Sequence, residues 1–277
     1  MYEGVVGMTD GGPRFRRDPG EIAAIMDLRA RRSIDHVTAL AWGRTARLCP
    51  ICGYRGMFSP VKHKPEIWCP SCDSRPRHRL LKLWLDRDMV LPEGARVLHF
   101  AAEPWVRGWF EERGATYLTA DINDLFDLKI DITAMDLPDA GYDMVMSNHV
   151  LEHVDDKAAL AEMFRVLKPG GQAVITVPMI EGWDRTHEDP SLKTEAELRL
   201  HYGDPSHLRF YGRDLRDRIR TAGFALHEYV ALEPDVSTHA LHRGERIFVG
   251  RKPAMEGGRK PAAEGGLKPA GEGATDG

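Results

Sequence analysis

Two groups of residues have the types and spacing to do chemistry. All four cysteines fall in Cys49-Pro50-Ile51-Cys52 and Cys69-Pro70-Ser71-Cys72, two Cys-x-x-Cys pairs sixteen residues apart. Tetrahedral thiolate coordination needs two tight knuckles brought together, and this spacing fits a four-cysteine structural zinc site. Two disulfides or a redox dithiol are the competing accounts. The first is disfavoured because the opening twenty residues lack a secretory apolar core, and the second leaves the duplicated pair unexplained. The other group is built on histidine. His149 and His153 stand four apart, on one face of a helical turn, with Glu152 beside them. More polar residues follow in Arg185-Thr186-His187-Glu188-Asp189-Pro190 and in Ser206-His207-Leu208-Arg209. An imidazole so placed can act as general base toward a hydroxyl, so His153, His187 and His207 are the catalytic candidates. Arg209 can bind a substrate carboxylate or phosphate, with Glu188 and Asp189 as further substrate-side groups. A solvated loop is the plain alternative for His187, Glu188 and Asp189.

The elements that hold these residues follow an alternating strand and helix pattern. Met144 to Met146 form a short apolar strand, and the polar cluster Ser147 to His149 follows at its carboxyl end, where open α/β sheets place their ligands. Ala158, Leu160, Ala161, Phe164 and Leu167 keep near-helical spacing, and Pro169-Gly170-Gly171 is expected to stop that helix before a strand at Gln172 to Val177. Upstream, the strand Arg96 to Phe100 enters the turn Ala101-Ala102-Glu103-Pro104, and a helix near Trp105 to Arg113 ends at Gly114. The strand Thr116 to Ala120 ends in Asp121, about twenty residues past the first turn, where a carboxylate can accept hydrogen bonds from both hydroxyls of a ribose. A third strand, Leu128 to Ile130, leads to Asp131-Ile132. A helix at Asp214 to Ala222 and strands at Phe224 to Val230 and Arg246 to Val249 bring the strand count to seven.

The run His149-Val150-Leu151-Glu152-His153-Val154, followed by Arg165-Val166-Leu167-Lys168-Pro169-Gly170-Gly171, resembles class I S-adenosylmethionine (SAM) dependent methyltransferases of type 11. The resemblance covers about Arg96 to Arg251. It implies an α/β fold with a Rossmann-like seven-stranded methyltransferase sheet, here joined to an N-terminal helical segment and a small zinc ribbon. It also implies SAM as cofactor, bound by Phe100, Ala101 and Glu103 of the first turn, by Asp121 and Ile122 at the ribose, by Asp131 and Ile132 at the adenine, and by His149. For Asp131 a turn-forming role is the competing account. The first turn departs from the usual pattern: Ala101, Ala102 and Glu103 stand where glycines are common, and His99 replaces an acidic residue. That departure is similar to a bacterial subgroup whose first motif reads His-Phe-Ala-x-Glu and which also begins with a cysteine-rich ribbon.

At 277 residues the chain can hold one ordinary domain plus an appendage. No apolar run is long enough to span a bilayer, and a cytoplasmic protein without membrane contact is expected. The domain expectation is a disordered start at 1–20, a helical segment at 21–46, the ribbon at 47–74 and the methyltransferase domain at 75–251. Residues 178–211 are too long for a simple connection and are read as a substrate-side insertion. A period-eight Lys-Pro-Ala repeat at 252–277 lacks any apolar face and is expected to be disordered. Net charge is -4, yet Arg44 to Lys82 carries nine Lys or Arg against Glu66 and Asp73. That basic stretch could meet RNA, a phosphorylated small molecule or the acidic remainder of the chain.

Three functions compete. The first is O-methylation of a small polar acceptor such as a sugar, a glycan precursor or a secondary metabolite. In the second, RNA is the acceptor and the ribbon its reader, which the overall acidity disfavours. The third is a non-catalytic binding protein on the same fold.

Overall fold

The computed structural model describes residues 45–61 and 64–254. The expected disordered start, nearly all of the helical segment and the repeat tail from residue 255 onward lie outside the described residues. The described chain begins with two small antiparallel hairpins. Strands β1 (Arg47–Leu48) and β2 (Arg55–Gly56) pair with each other, as do β3 (Ser59–Val61) and β4 (Lys64–Trp68). Helix α1 (Pro76–Arg87) leads into the main body, with Pro76 in its first turn where the missing N–H costs nothing.

The sheet then builds outward from its first strand, β5 (Arg96–Phe100). Helix α2 (Val106–Glu111) returns the chain to β6 (Thr116–Asp121), and β7 (Leu128–Lys129) forms one edge. Strand β8 (Tyr142–Asn148) lies on the other side of β5. After a 3-10 turn (Leu151–His153), helix α3 (Asp156–Val166) leads to β9 (Leu167–Thr176). Helix α4 (Glu195–Tyr202) lies within the insertion. Helix α5 (Leu215–Thr221), β10 (Ala225–Val230), α6 (Asp235–His239) and β11 (Arg246–Arg251) complete the order. In space the strands run β10-β11-β9-β8-β5-β6-β7, and β11 alone is antiparallel to its neighbours. This is the seven-stranded Rossmann-like sheet that the resemblance implies.

Period-two alternation sorts the apolar residues onto two faces. Leu98, Phe100, Val145 and Ile175 pack with Leu160 and Met163 of α3 and Ile219 of α5. Val97, Met144, Met146 and Val174 pack on the other face with Leu80 and Trp84 of α1 and Phe110 of α2. Both faces are covered, which explains why the central strands read as continuous apolar runs.

Two expectations need correction. Pro169-Gly170-Gly171 does not separate helix from strand: β9 begins at Leu167, directly after α3. Between the pairs Tyr142↔Leu167 and Met144↔Gln172 the register shifts, so Lys168 to Gly171 form an irregularity inside the strand. A Cβ at Gly171 would lie 2.9 Å from the Lys168 carbonyl oxygen and 3.1 Å from that of Asp143, so only glycine fits there. In addition Lys252, read as the start of the tail, is docked. Its backbone exchanges hydrogen bonds with Gly170 and Gly171, and its ammonium donates to the carbonyls of Phe164 and Leu167 at 2.7 Å. The cation thereby satisfies carbonyls that the end of α3 leaves free.

Candidate active site and metal centre

The two Cys-x-x-Cys pairs fold into matching knuckles. The Gly53 N–H donates to Cys49 and the Asp73 N–H to Cys69, and both Gly53 (φ 74°) and Asp73 (φ 58°) are left-handed. These turns bring all four Sγ atoms within 4.8 Å of one another, with Cys49 to Cys72 and Cys52 to Cys69 at 3.6 Å. Disulfide sulfurs would lie about 2.05 Å apart, so these are four thiols. Tetrahedral zinc with bonds of about 2.3 Å needs sulfurs about 3.8 Å apart, and the cluster fits that ion. The Cys49 sulfur, with burial, pushes the Cys72 thiol up to about 11 while hydrogen bonds from Cys69 and Cys72 hold Cys49 low, the unequal sharing of protons that a common cation would replace.

Under the ribbon lies Arg79, with no exposed surface. Its Nε donates to the His239 carbonyl at 2.7 Å, Nη1 to Ser74 at 2.5 Å, Nη2 to Ala240 at 2.6 Å, and both terminal nitrogens reach Ile67 at 3.2 Å. Burial lowers the guanidinium to about 10, opposed by the nearby cysteine sulfurs. The basic first turn of α1 therefore holds the chain's own carbonyls through Arg79. Arg47 likewise donates to the Ser237 carbonyl, and the Leu48 carbonyl lies 2.8 Å from His239 Nδ1, so the ribbon is seated on α6.

The carboxyl ends of the parallel strands form the second site. Ala101, directly after β5, takes φ 50°, the left-handed conformation that glycine usually supplies. His149, directly after β8, takes φ 57°. Two non-glycine residues thus hold a costly backbone shape at adjacent strand ends. Beneath them His99 is fully buried between the Tyr117 hydroxyl at 2.6 Å and Asn148 Nδ2 at 3.0 Å. Burial lowers His99 to about 3, so it is neutral, and its Nε2 can accept from Asn148. The other Asn148 amide hydrogen is available to Glu103 at 3.2 Å, whose carboxyl burial pushes up, while Asn148 Oδ1 accepts from Thr176. The unusual His99 and Glu103 are therefore one neutral-histidine network, with Asn148 as a member that no spacing rule singled out.

Asp121 ends β6 and accepts from the Asn123 N–H at 3.1 Å and side chain at 2.7 Å. Ile122 beside it is 66% exposed and Leu125 74%. Asp131 caps its own turn by accepting from the Thr133 N–H and hydroxyl, and Ile132 is buried in the core, 3% exposed. Phe100 is also a core residue.

The insertion folds back onto the turn after β8. Leu208 N–H donates to the Glu152 carbonyl at 2.8 Å, and Arg209 Nη1 donates to Leu151 at 2.8 Å and Val154 at 2.5 Å. Arg209 Nε donates to Glu188, which also binds Arg218. Arg209 and Glu188 thus bond each other and hold the segment down, whereas a ligand anion was expected at Arg209. Asp189 caps the exposed turn at Ser191. His187 pairs through its backbone with Phe210, and its ring lies against His201 and Tyr202. His153 and His207 are brought together, ring centroids 4.7 Å apart and edge to face. Burial lowers both His149 and His207, which keeps them neutral near pH 7.

Residues 106–175 match the family model for a methyltransferase domain, Methyltransf_11. An uncharacterized 37.1 kDa protein in a transposon of Streptomyces fradiae is 37% identical over 99 residues, which is 35% of this chain and 28% of that protein. A probable S-adenosylmethionine-dependent methyltransferase of Mycolicibacterium smegmatis is 31% identical over 99 residues, 35% of this chain and 34% of its own length. The chain thus spans about a third of these relatives. A crystal structure of an S-adenosylmethionine-dependent methyltransferase from Mesorhizobium loti superposes with TM-score 0.47 at 16% identity, covering 62% of this chain and 97% of that one. The methyltransferase-domain match at 106–175 runs from the start of α2 into β9, across the strand ends at which Asp121 and His149 lie.

Proposed function

We propose that the protein is a SAM-dependent O-methyltransferase acting on a small polar acceptor, with a structural zinc ion in its four-cysteine ribbon. One observation carries this: the methyltransferase-domain match falls on a sheet whose adjacent strand ends hold left-handed Ala101 and His149. Glycine-like backbone at Ala101 lets a ligand approach the main chain closely, Asp121 offers a carboxylate for the ribose hydroxyls, and exposed Ile122 offers an apolar surface for the adenine.

Bound there, SAM supplies an electrophilic methyl group on a sulfonium. The protein's share is to align the acceptor and exclude water. The insertion, clamped on Leu151 to Val154 by Arg209 and Leu208, would roof the acceptor side, and its His207 together with His153 would act on the acceptor hydroxyl's proton. Zinc would hold the knuckles closed and fix the ribbon on α6, with Arg79 offsetting part of the negative charge of four thiolates. The internal bonds of Arg47 and Arg79 favour this arrangement over an RNA-reading ribbon.

Calorimetric titration with S-adenosylhomocysteine tests the cofactor site. Micromolar binding by the parent, weakened at least tenfold in Asp121→Ala, is the expected result. A folded, zinc-loaded parent with no affinity would overturn the enzyme assignment in favour of a binding protein. RNA binding that weakens steeply with salt would redirect the search for the acceptor.

A further inference from the structure

Glu152, His153 and His207 converge where the insertion meets the turn after β8. One carboxylate oxygen and one ring nitrogen from each histidine all lie within 4.8 Å of one another. Glu152 is fully buried, and Glu152 Oε2, His153 Nε2 and His207 Nδ1 are shielded from solvent and have no hydrogen-bond partner among the described residues. A buried carboxylate oxygen facing two imidazole nitrogens, all three unsatisfied, is expensive unless something with positive charge and empty orbitals joins them.

The surroundings fix the orientations that a ligand set needs. His153 Nδ1 lies 3.1 Å from the Ser206 carbonyl oxygen, so it carries the proton and donates, leaving Nε2 with its lone pair free. Glu152 Oε1 is engaged by His149 Nδ1 at 3.2 Å, so Oε2 is the oxygen left for a ligand. Metal-bound histidines and carboxylates are commonly held by such outer bonds. Ligand atoms about 2.1 Å from a shared tetrahedral ion lie about 3.4 Å apart, so a spacing of up to 4.8 Å would close inward on binding.

We infer that Glu152, His153 and His207 bind a divalent transition-metal cation through one oxygen and two nitrogens. Two histidines and one carboxylate leave coordination positions for water or for an oxygen of an acceptor. Binding of the cation does not depend on the methyl-transfer assignment. Its consequence does: on that assignment the ion acidifies a coordinated acceptor hydroxyl, whose proton leaves to solvent water as the oxygen takes the methyl group, and the histidines act through the metal instead of taking the proton themselves.

The test is titration of full-length protein, its ribbon already filled with one equivalent of Zn2+, with Co2+. A second equivalent should bind with micromolar affinity and give weak visible bands without thiolate charge transfer. Exchangeable, paramagnetically shifted imidazole N–H signals from two histidines should appear in the proton NMR spectrum. Glu152→Gln and His207→Ala should each weaken this equivalent at least tenfold. Thermal midpoints of the variants check their folding, and the parent's NMR signals decide the matter if a variant fails to fold. Saturation of the parent at the ribbon alone, a spectrum lacking imidazole signals, or unchanged affinity in both folded variants overturns the proposal. Because no SAM is present, failure here would leave cofactor binding to be judged by its own titration.

Discussion

The ribbon junction and the turn after β8 each bury a charged side chain completely, Arg79 in one and Glu152 in the other, and they bond them in opposite ways. Every nitrogen of the Arg79 guanidinium meets a backbone carbonyl from the ribbon or from the α6 end. Glu152 gives one oxygen to His149 and leaves the other near two ring nitrogens that, among the described residues, also lack partners. Full satisfaction marks a group that holds structure, because nothing remains for a ligand to do. A buried remainder marks a group whose partner comes from outside the chain. Removing structural partners should therefore cost stability, and removing the unsatisfied ones should mainly cost binding.

The largest expected effect tests the structural side. Stripping zinc with a strong chelator, or Cys49→Ser, should remove a binding contribution that for structural sites reaches about 10 kcal/mol or more. Calorimetry should show the ribbon melting well below the sheet, and a single unchanged transition would break the contrast. Next in size, Arg79→Met leaves buried carbonyls without donors, and urea unfolding of zinc-loaded protein should show a loss of about 3 kcal/mol or more. Glu152→Gln is the paired measurement: stability should change by less than about 1 kcal/mol, since the altered oxygen has no partner to lose. Equal losses in the two variants would erase the distinction.

A smaller effect concerns the strand ends. Ala101→Gly should stabilise by up to about 1 kcal/mol, because a side chain at φ 50° opposes that backbone shape, and Ala101→Val should destabilise. The smallest is electrostatic. Arg218, and then Arg209, hold the Glu188 carboxyl below its ordinary value of 4.5. The folded state thus favours the ionised form, so this contribution is full above about pH 4.5 and disappears as pH falls through the lower folded value. Glu188 is 37% exposed, so screening limits the effect to under about 1 kcal/mol. Urea midpoints of the parent and Glu188→Gln should differ at pH 6 and converge near pH 3.

How far the sequence could be read follows from how local each cause is. The cysteine knuckles are written in six-residue stretches, and the central strands in uninterrupted apolar runs, so both could be read directly. The place of Asp121 at the end of β6 was legible because the end of an apolar run is itself a position. The start of β9 was hidden because Pro169-Gly170-Gly171 is punctuation in most contexts, and only the fold explains the glycine pair within a strand: Gly170 is left-handed at φ 82°, and Gly171 lies against the backbone of Lys168 and Asp143. Arg209 looked like an anion site because its partners, Glu188 and the carbonyls of Leu151 and Val154, are 21 to 58 residues away. The meeting of His153 with His207 has the same origin, a contact made by the folded insertion and by no periodicity. Glu152 could have been noticed, since it shares its helical turn with two histidines, but its solvent-free oxygen is a property of the fold.

The position of β11 bears on how the protein is made. Among the described residues, the last strand to leave the ribosome is an interior one, between β9 and β10. Until Arg246 to Arg251 emerge, β10 lacks the neighbour that joins it to the sheet and the edge of β9 stays open. An open strand edge is a template for pairing with other chains. A truncation upstream of Arg246 would leave the five strands from β9 to β7 in that adhesive state, so Arg246 to Arg251 govern whether the chain reaches its working form or aggregates.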